Sequence, residues 1–506
     1  MFLPGHFLFA PSHRIHFIGI GGIGMSGIAE ILLTMGYSVS GSDLRHSPAT
    51  DRLATLGATI FIGHASENVS AADVVVTSSA VPASNPEVMD ARSRKIPVIQ
   101  RAEMLSELMR LKYGIAIAGM HGKTTTTSMI AAVLGAGGGK ENLDPTVVVG
   151  GRVDALGSNA RLGSSQYLVA EADESDRSFL KLSPVLAVVT NLDREHMDCY
   201  RDLADVEGAF VEFMDRVPFY GATTACIDNP LLRSVLERVR RRIFTYGETE
   251  GADFRLHLLT KPAPTHDAVD THDTGLDLGH WQFEVIFKGE TLGPFTLHVP
   301  GRHNVLNATA AVAIGLQLGI SPEGIAAGLA SFRGVDRRFQ IKGVVRGVTV
   351  VDDYGHHPTE IMATLRAARD AGYKRVHVLF QPHRYTRTRD LEPEFSRAFV
   401  DADTLRVLDI YAASEQPIPG VDAQGLVEAI RRAGTVGAGT VGAGPSSTGG
   451  EAQSSNVNYA ASIAAGVDAL AEVARPGDVI LTLGAGSVSQ AGALLLEALG
   501  TTVAAR

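Results

Sequence analysis

The chain has 506 residues, a formal net charge of −10 and an apolar content of 45%. This length suits roughly three domains of about 150 residues each, and the acidic balance argues against a nucleic-acid partner, which usually needs a basic surface. The two cysteines, Cys199 and Cys226, exclude a disulfide framework, and no apolar run reaches the ~18–20 residues of a membrane span, so we expect a cytoplasmic protein without membrane insertion.

The N-terminal part of the chain alternates short apolar strands with helical segments. Residues 1–13 lack the basic region and the small-residue cleavage site of a signal peptide, and they lead directly into a strand. The predicted strands are residues 14–18, 38–40 and 74–77, and the predicted helices are residues 26–35 and 49–56. This rhythm predicts βαβ units on a parallel sheet.

A glycine-rich loop follows the first predicted strand. Its residues, Gly19-Ile20-Gly21-Gly22-Ile23-Gly24, fit the pattern Gly-x-Gly-x-x-Gly, and Asp43 follows at the end of the next strand. This is the fingerprint of dinucleotide binding. The motif is not specific for dinucleotides, because backbone N–H groups at a helix N-terminus bind any pyrophosphate, including that of a UDP-sugar. A nicotinamide site and a tight turn without a ligand remain alternatives at this point.

A second glycine loop lies between the apolar run 113–118 and the helical segment 127–134. It consists of Gly119, Met120, His121, Gly122, Lys123, Thr124 and Thr125. Backbone amides and the helix N-terminus face an anion in such a loop, the lysine adds charge, and the threonine hydroxyl holds Mg²⁺. We therefore predict binding of ATP and Mg²⁺. Together the two loops indicate an ATP-driven enzyme acting on a nucleotide-linked substrate, which weakens the oxidoreductase alternative.

Two later strands of the middle region also end in polar residues, where ligands bind in parallel α/β sheets. Acids at residues 171–176 follow the strand 167–170 and can hold Mg²⁺, although a solvated acidic turn is the alternative. His196 lies among acids after the strand 185–190, and either binds a second metal ion or makes structural hydrogen bonds. His303, Asn304 and Asn307 open an alanine-rich helix, where asparagine can contact adenine or cap the helix.

The last third of the chain begins a new α/β pattern, with strands at residues 348–351, 376–380 and 479–483. Arginines in its strand-end loops suit carboxylates or phosphates, although such residues are often only surface charge. The segment 434–456 contains mostly Gly, Ala, Ser and Thr, and it predicts a flexible insert.

In this order, the motifs resemble those of the Mur ligases, the ATP-dependent amino-acid ligases of peptidoglycan synthesis. The resemblance covers about residues 14 to 500, with one departure at Met120, where threonine is usual. Four stretches resemble the member that joins L-alanine to UDP-N-acetylmuramate, and they begin at Gly21, Glu171, Asp352 and Phe380. Because an unbranched apolar side chain at Met120 leaves the backbone amides free, we expect ATP binding to survive this departure.

The resemblance implies an α/β fold of three domains. They are a Rossmann-like UDP-sugar domain (1–112), a central P-loop ATPase-like domain (113–334) and a Rossmann-like C-terminal domain (335–506). The C-terminal domain is expected to close over ATP and the amino acid. The implied reaction activates the lactyl carboxylate of UDP-N-acetylmuramate as an acyl phosphate, which the amine of L-alanine then attacks.

The resemblance also implies a role for each motif residue. Lys123 and Arg338 neutralise phosphates, and the metal ligands are Thr124, Glu171 and His196. The adenine contacts are His303, Asn304 and Asn307, and the ribose contact is Asp352 or Asp353. The UDP moiety is held by Gly21, Gly22, Gly24, Ser78 and Ser79. Arg384 and Arg387 bind the alanine carboxylate or the muramyl side.

Three alternatives to this function remain at this point. One is a recycling ligase that attaches a preformed peptide to the same UDP-sugar. The others are a nicotinamide oxidoreductase and a nucleotide-binding module without catalysis. The choice among L-alanine, glycine and L-serine also stays open.

Overall fold

The computed structural model describes residues 11–78, 80–136, 142–153, 158–197, 199–260, 280–434, 436–437 and 456–501. Ser79 and most of the predicted insert 434–456 lie outside these residues. The chain divides into two compact units. The first comprises residues 1–257, 284–295 and 306–331, and the second comprises residues 258–283, 296–305 and 332–506, counting the described residues of each.

The first sheet is parallel throughout. Its strands are β1 (Arg14–Ile18), β2 (Ser38–Asp43), β3 (Thr59–Ile62), β4 (Val74–Thr77) and β5 (Val98–Gln100). The helices around it are α1 (Ile23–Thr34), α2 (Pro48–Thr55), α3 (Pro86–Ser93) and α4 (Arg101–Arg110). The strand order is β3-β2-β1-β4-β5, so the order reverses between β1 and β4. Ligands bind at such a switch point, and here the first glycine loop follows β1 and Ser78 follows β4.

The buried carboxylate of Glu87 stabilises the start of this glycine loop through Ser42. The carbonyl of Ser42 accepts the N–H of Gly19 at 2.8 Å, and the Ser42 hydroxyl donates to Glu87 Oε2 at 2.6 Å. Asn68 donates to the other carboxylate oxygen at 2.6 Å, and His16 Nε2 lies 3.6 Å from Oε2. Burial alone would raise the pKa of Glu87, but these partners outweigh it and lower the pKa to about 2.

The second sheet has ten strands in the part of the chain that the structure describes. They are β6 (Tyr113–Ala118), β7 (Thr146–Val153), β8 (Ser158–Arg161), β9 (Tyr167–Glu171), β10 (Leu186–Val189), β11 (Ala222–Cys226), β12 (Ile243–Gly247), β13 (Phe254–Thr260), β14 (Trp281–Phe287) and β15 (Glu290–Leu297). Their order is β15-β14-β13-β12-β11-β10-β6-β9-β7-β8. The associated helices are α5 (Lys123–Ala136), α6 (Leu203–Asp215), α7 (Pro230–Val235), α8 (Arg302–Gln317) and α9 (Pro322–Ser331). Strand β6 is parallel to both β9 and β10, so the carboxyl ends of all three meet at one edge.

The third sheet forms the centre of the second unit. Its strands are β16 (Gln340–Val345), β17 (Val348–Asp353), β18 (Val376–Phe380), β19 (Thr404–Val407), β20 (Val457–Tyr459) and β21 (Val479–Leu483). The order is β16-β17-β21-β18-β19-β20, and only β16 is antiparallel to its neighbour among the described pairs. The helices are α10 (Pro358–Asp370), α11 (Tyr385–Asp390), α12 (Glu392–Phe395), α13 (Ala423–Ala433), α14 (Ile463–Val473) and α15 (Ala491–Thr501). Apolar clusters cover both faces of this sheet.

Short 3₁₀ turns complete the fold, at Ser66–Val69, Ser178–Lys181, Leu236–Arg238 and Ser487–Gln490. The predicted α/β class is confirmed, and every strand predicted above is present within a few residues of its predicted bounds. Helix α5 begins at Lys123 rather than at residue 127, so the phosphate loop leads into the helix without a gap. The domain boundaries at residues 112/113 and 334/335 stay predictions. In the part of the chain that the structure describes, no helix is long and apolar enough to cross a membrane.

The buried position of Glu87 predicts a pH-dependent contribution to stability. Each pKa unit corresponds to about 1.36 kcal/mol, so Glu87→Gln should lower the free energy of unfolding by up to about 3 kcal/mol at pH 7. The folded pKa, about 2, lies below the ordinary value of 4.5. The contribution is therefore complete above about pH 4.5 and is lost as the pH falls towards 2.

Urea unfolding of the wild type and Glu87→Gln at pH 7 and pH 3 measures this contribution. The difference between the two proteins should shrink at pH 3. Exposed Glu67 provides the control, and Glu67→Gln should unfold like the wild type at both pH values. An equal loss for Glu87→Gln at both pH values would assign the effect to packing rather than to charge.

Candidate active site

The phosphate loop, residues 119–122, is fixed by the two residues that follow β10. Thr190 Oγ1 and Asn191 Nδ2 both donate to the carbonyl of His121, at 2.6 and 2.9 Å. The amide oxygen of Asn191 accepts the His121 N–H at 2.9 Å. Gly119 has a φ of +129°, and a Cβ there would collide with Thr190 Oγ1. The loop therefore needs glycine at this position for both its conformation and its packing.

Lys123, the first residue of α5, directs its ammonium back into this loop. Nζ donates to the carbonyls of Gly119 and Met120, at 2.7 and 3.2 Å. It also forms an ion pair with Glu174 Oε1 at 2.7 Å. Burial disfavours the charged lysine, but Glu174 and neighbouring acids outweigh it and raise the pKa of Lys123. A charged ammonium is thus held at the loop.

Glu174 connects Lys123 with His196. The carboxylate is 1% exposed, and its Oε1 lies 3.5 Å from His196 Nε2. Its Oε2 is buried and accepts no hydrogen bond from the residues that the structure describes. Tyr200 fixes the backbone here, since its hydroxyl donates to the Glu174 carbonyl at 2.7 Å. Burial lowers the pKa of His196, but the adjacent carboxylates raise it more, so a metal ion bound there would have to displace a proton.

The two oxygen-bearing candidates for metal binding lie at the same sheet edge. Glu171 ends β9 and is the register partner of Ile117 in β6, directly before the phosphate loop. Thr124 and Thr125 are the second and third residues of α5. Carboxylate and hydroxyl oxygens are the ligands that Mg²⁺ prefers, so this donor set fits that ion.

The predicted adenine contacts lie in the first two turns of α8 but differ in their surroundings. Asn304 donates through Nδ2 to the carbonyl of Pro300 at 2.6 Å, which stabilises the chain entering the helix. Asn307 lies against the phosphate loop, because a Cβ on Gly122 would be 2.8 Å from its Oδ1. His303 precedes both. The adenine contacts themselves stay predictions.

The first glycine loop is shaped by Asp43. The N–H of Gly21 donates to Asp43 Oδ2 at 2.9 Å, and a Cβ on Gly21 would lie 2.9 Å from the same oxygen. Gly22 is the N-cap of α1. Gly24 packs on Arg101, whose Cδ would be 3.0 Å from a Cβ at that position. The predicted UDP-binding glycines are therefore close to an arginine that the sequence analysis did not select.

Arg101 connects this loop with the acidic run. Its Nη2 lies 3.9 Å from Asp173 Oδ2, and both residues line a polar cavity of about 180 Å³ within the first unit. The other lining residues are Ser78, Gln100, Ala102, Ser175, Asp176 and Ser178. Asp173 therefore faces Arg101 at this cavity, and its charge also raises the pKa of Lys123.

In the second unit, the two aspartates predicted for ribose are already bonded to protein. Asp352 accepts from Arg337 Nε at 3.1 Å and from Thr482 Oγ1 at 2.7 Å. Asp353 accepts the N–H groups of Phe339 and Gly355, each at 2.7 Å. Both are buried, and burial raises the pKa of Asp353. These bonds give both carboxylates a structural role, and the ribose contact stays a prediction.

Two of the predicted arginines of the second unit contact neighbouring side chains. Arg338 Nη1 donates to Glu360 Oε1 at 3.3 Å, and its guanidinium lies 5.3 Å from the centre of the Tyr354 ring. Arg387 Nη1 lies 3.2 Å from His383 Nδ1. Arg384 precedes α11 with a φ of +71°, which is rare for a residue with a side chain.

Comparisons with known proteins cover nearly the whole chain. The model of the Mur ligase family, catalytic domain, matches residues 14–113, the Mur ligase middle domain matches 117–315, and the Mur ligase, glutamate ligase domain matches 337–486. The chain belongs to the Mur ligase family. The predicted resemblance is confirmed.

Individual relatives agree with this membership. The UDP-N-acetylmuramate–L-alanine ligase of Acidobacterium capsulatum is 63% identical over 492 residues, which are 97% of this chain and 99% of that protein. The crystal structure of the UDP-N-acetylmuramate-alanine ligase of Thermotoga maritima matches with a TM-score of 0.72 and 27% identity, over 97% of this chain and 100% of that one. A murein peptide ligase from Psychrobacter arcticus, at 23% identity and a TM-score of 0.64 over 97% of this chain and all of that one, shows the fold alone.

Sequence reasoning missed two residues of this Mur ligase site. Glu174 lies within the acidic run 171–176, but the sequence of this run does not indicate which of its acids pairs with Lys123. Arg101 begins α4 directly after β5, at the carboxyl edge of the first sheet. A basic residue at such an edge indicates a contact with an anionic ligand, so its position could have identified it.

The geometry of the phosphate loop predicts the effect of adding a single methyl group. Gly119→Ala introduces a collision with Thr190 Oγ1 and a disfavoured φ, so the Kd for ATP should rise roughly a hundredfold or more, about 2.7 kcal/mol. Gly135, in α5, is the matched control because a Cβ there meets nothing within 4 Å. Calorimetric titration with ATP should give Gly135→Ala the wild-type Kd, and equal affinities for both variants would remove the loop from nucleotide binding.

Proposed function

We propose that the protein joins L-alanine to the lactyl carboxylate of UDP-N-acetylmuramate with cleavage of ATP, in the synthesis of peptidoglycan. The observation that carries the proposal is the polar cavity lined by Arg101 and Asp173. Its Arg101 packs against Gly24 of the first glycine loop, and the charge of its Asp173 acts on Lys123. A UDP-sugar held at that loop would extend its carboxylate towards the phosphate loop. The likeness over 97% of the chain to a relative of this name supports the same conclusion.

The chemistry explains why positive groups are needed at this place. A carboxylate is a poor electrophile, and ATP with Mg²⁺ supplies the phosphoryl group that converts it to an acyl phosphate. The amine of L-alanine then forms the C–N bond, the C–O bond to phosphate breaks, and the nitrogen loses a proton. Lys123 reduces the repulsion between carboxylate and phosphate, and Arg101 orients the sugar. Such electrostatic stabilisation and positioning supply most of the catalysis in related reactions.

Each metal-binding role rests on the donor set of the first unit. Thr124 and Glu171 would hold Mg²⁺ through oxygen, and His196 would bind a second ion through its imidazole once neutral. Their positions at the edge shared by β6, β9 and β10 support this assignment. Arg338 would contact the phosphates, and Arg384 and Arg387 would bind the carboxylate of L-alanine, as their guanidinium forks suit.

The partners in this proposal are small molecules, UDP-N-acetylmuramate, L-alanine and ATP. The net charge of −10 disfavours a nucleic-acid partner. We place the activity in the cytoplasm, since the chain has only two cysteines, Cys199 and Cys226, and a chain without a disulfide framework suits a reducing compartment.

Phosphate release tests the proposed reaction. The wild type should release phosphate with UDP-N-acetylmuramate, ATP and L-alanine, and more slowly with glycine or L-serine at equal concentration. Faster turnover with a preformed tripeptide would favour a recycling ligase instead. A spectral change with reduced nicotinamide cofactor in place of ATP would support the oxidoreductase.

Lys123→Ala should abolish this alanine-dependent turnover, because it removes the ammonium that the ion pair with Glu174 holds at the phosphate loop. Lys342, exposed on β16, is the control, and Lys342→Ala should retain wild-type rates. If Lys123→Ala remains within about tenfold of the wild type, which is ~1.4 kcal/mol, the phosphate-loop assignment is wrong.

His196→Ala should raise the Mg²⁺ concentration needed for half-maximal activity by about tenfold, as loss of a metal-site partner typically does. The measurement is a Mg²⁺ titration of phosphate release at saturating substrates. Exposed His280 serves as the control through His280→Ala. An unchanged titration for His196→Ala would exclude its role as a metal ligand.

A further inference from the structure

The loop that carries Arg384 and Arg387, here called the arginine loop, is hydrogen-bonded to a second segment, residues 411–415. Tyr411 and His383 form an isolated parallel bridge. The N–H of Tyr411 donates to the carbonyl of Pro382 at 2.8 Å, and the N–H of Arg384 donates to the carbonyl of Tyr411 at 2.8 Å. The backbone of Tyr411 is thus bonded on both sides of His383.

The rings of the same two residues also stack. The centres of the His383 and Tyr411 rings are 5.7 Å apart with an interplanar angle of 12°. Gly486 also packs against Tyr411, because a Cβ on Gly486 would lie 2.7 Å from the Tyr411 Cγ. Burial and the charges of His356 and the nearby arginines lower the pKa of His383 to about 3. The ring is therefore neutral, and its Nδ1 accepts from Arg387 Nη1.

A second connection lies between the two arginines in sequence. Thr386 donates through Oγ1 to Glu415 Oε1 at 2.6 Å and through its N–H to Oε2 at 3.1 Å. The carboxylate therefore binds the first turn of α11, from which Arg387 projects. Tyr411 holds one end of the arginine loop and Glu415 holds the other.

The arginine loop and residues 411–415 both contain unusual backbone conformations. Arg384 has a φ of +71°, and Ala413 and Ser414 have φ values of +47° and +72°. Residues with side chains persist in this region only where the surroundings hold them, and they concentrate at ligand-binding sites. The two segments hold each other in these conformations through the bonds described above. A loop fixed in this way holds the backbones of Arg384 and Arg387 in one conformation.

We propose that Tyr411 and Glu415 are positioning residues for the amino-acid substrate, and that they set its affinity by fixing Arg384 and Arg387. The inference rests on the proposed function, in which these arginines bind the carboxylate of L-alanine. A preorganised guanidinium pair loses less conformational entropy when a carboxylate binds. Tyr411 and Glu415 act through the arginines and need no contact with the substrate.

The test is steady-state kinetics of the full chain with each substrate varied in turn. Tyr411→Ala removes the stack and should raise KM for L-alanine about tenfold, which is ~1.4 kcal/mol. KM for ATP and for UDP-N-acetylmuramate should stay within about twofold, a separation that a general loss of structure would not give. Tyr411→Phe keeps the ring and should restore the wild-type KM for L-alanine.

Thr386→Val provides a second variant, since it removes only the hydroxyl that donates to Glu415, and it should also raise KM for L-alanine selectively. Glu428→Gln, at an exposed position of α13, is the control and should leave all three KM values unchanged. If Tyr411→Ala does not fold, Thr386→Val decides the outcome.

An active wild type with an unchanged KM for L-alanine in Thr386→Val and in folded Tyr411→Ala would overturn this inference alone. An equal rise of all three KM values in these two variants would also overturn this inference. A wild type without alanine-dependent turnover would overturn the proposed function and this inference with it.

Discussion

The ion pair between Lys123 and Glu174 is the interaction on which the first unit's site depends. A buried pair is costly, because both charges leave water. Here two loop carbonyls accept hydrogen bonds from the ammonium, His196 lies beside Oε1 of the carboxylate, and Tyr200 holds the Glu174 backbone. The pair thereby determines the position of the loop, of the histidine and of the acidic run together. Positive charge fixed in place before the reaction is the arrangement that stabilises a transition state with little reorganisation.

Parallel strand topology places the predicted ligand-binding loops at the carboxyl edges of their sheets. The glycine loop after β1, Ser78 after β4, the phosphate loop after β6 and Glu171 at the end of β9 all lie at carboxyl edges of their sheets. The same rule places Asp353 and the arginine loop at the carboxyl edge of the third sheet. The strands that carry these loops are buried, as Ile115 to Ala118 of β6 and Ala187 to Val189 of β10 show. The chemistry therefore resides in loops, and the sheets set the distances between them.

The sequence was sufficient for features that depend on neighbours along the chain. Continuous apolar runs such as β6 predict buried parallel strands, and glycine with lysine and threonine directly after a strand predicts a phosphate loop. Contacts across long separations could not be predicted in this way. Arg101 and Asp173 are 72 positions apart, and Tyr411 and His383 are 28 apart, so only the folded chain shows that they meet. The start of α5 was misplaced by four residues because the four consecutive threonines at 124–127 have low helix propensity, which tertiary packing overrides.

The acids at the strand ends show why charge alone was a poor guide to ligand contacts. Asp43 accepts the N–H groups of Gly21 and Leu44, and Asp228 after β11 accepts those of Glu248 and Thr249. Asp353 does the same for Phe339 and Gly355. In each sheet, an aspartate at the end of a strand binds backbone donors and so builds the loop. Phosphates and carboxylates are anions, so an acid near them serves best by shaping the loop or by holding a cation. In the proposed function, the contacts with anionic substrates are therefore made by the basic residues Lys123, Arg101 and the arginines of the second unit, in a protein whose net charge is −10.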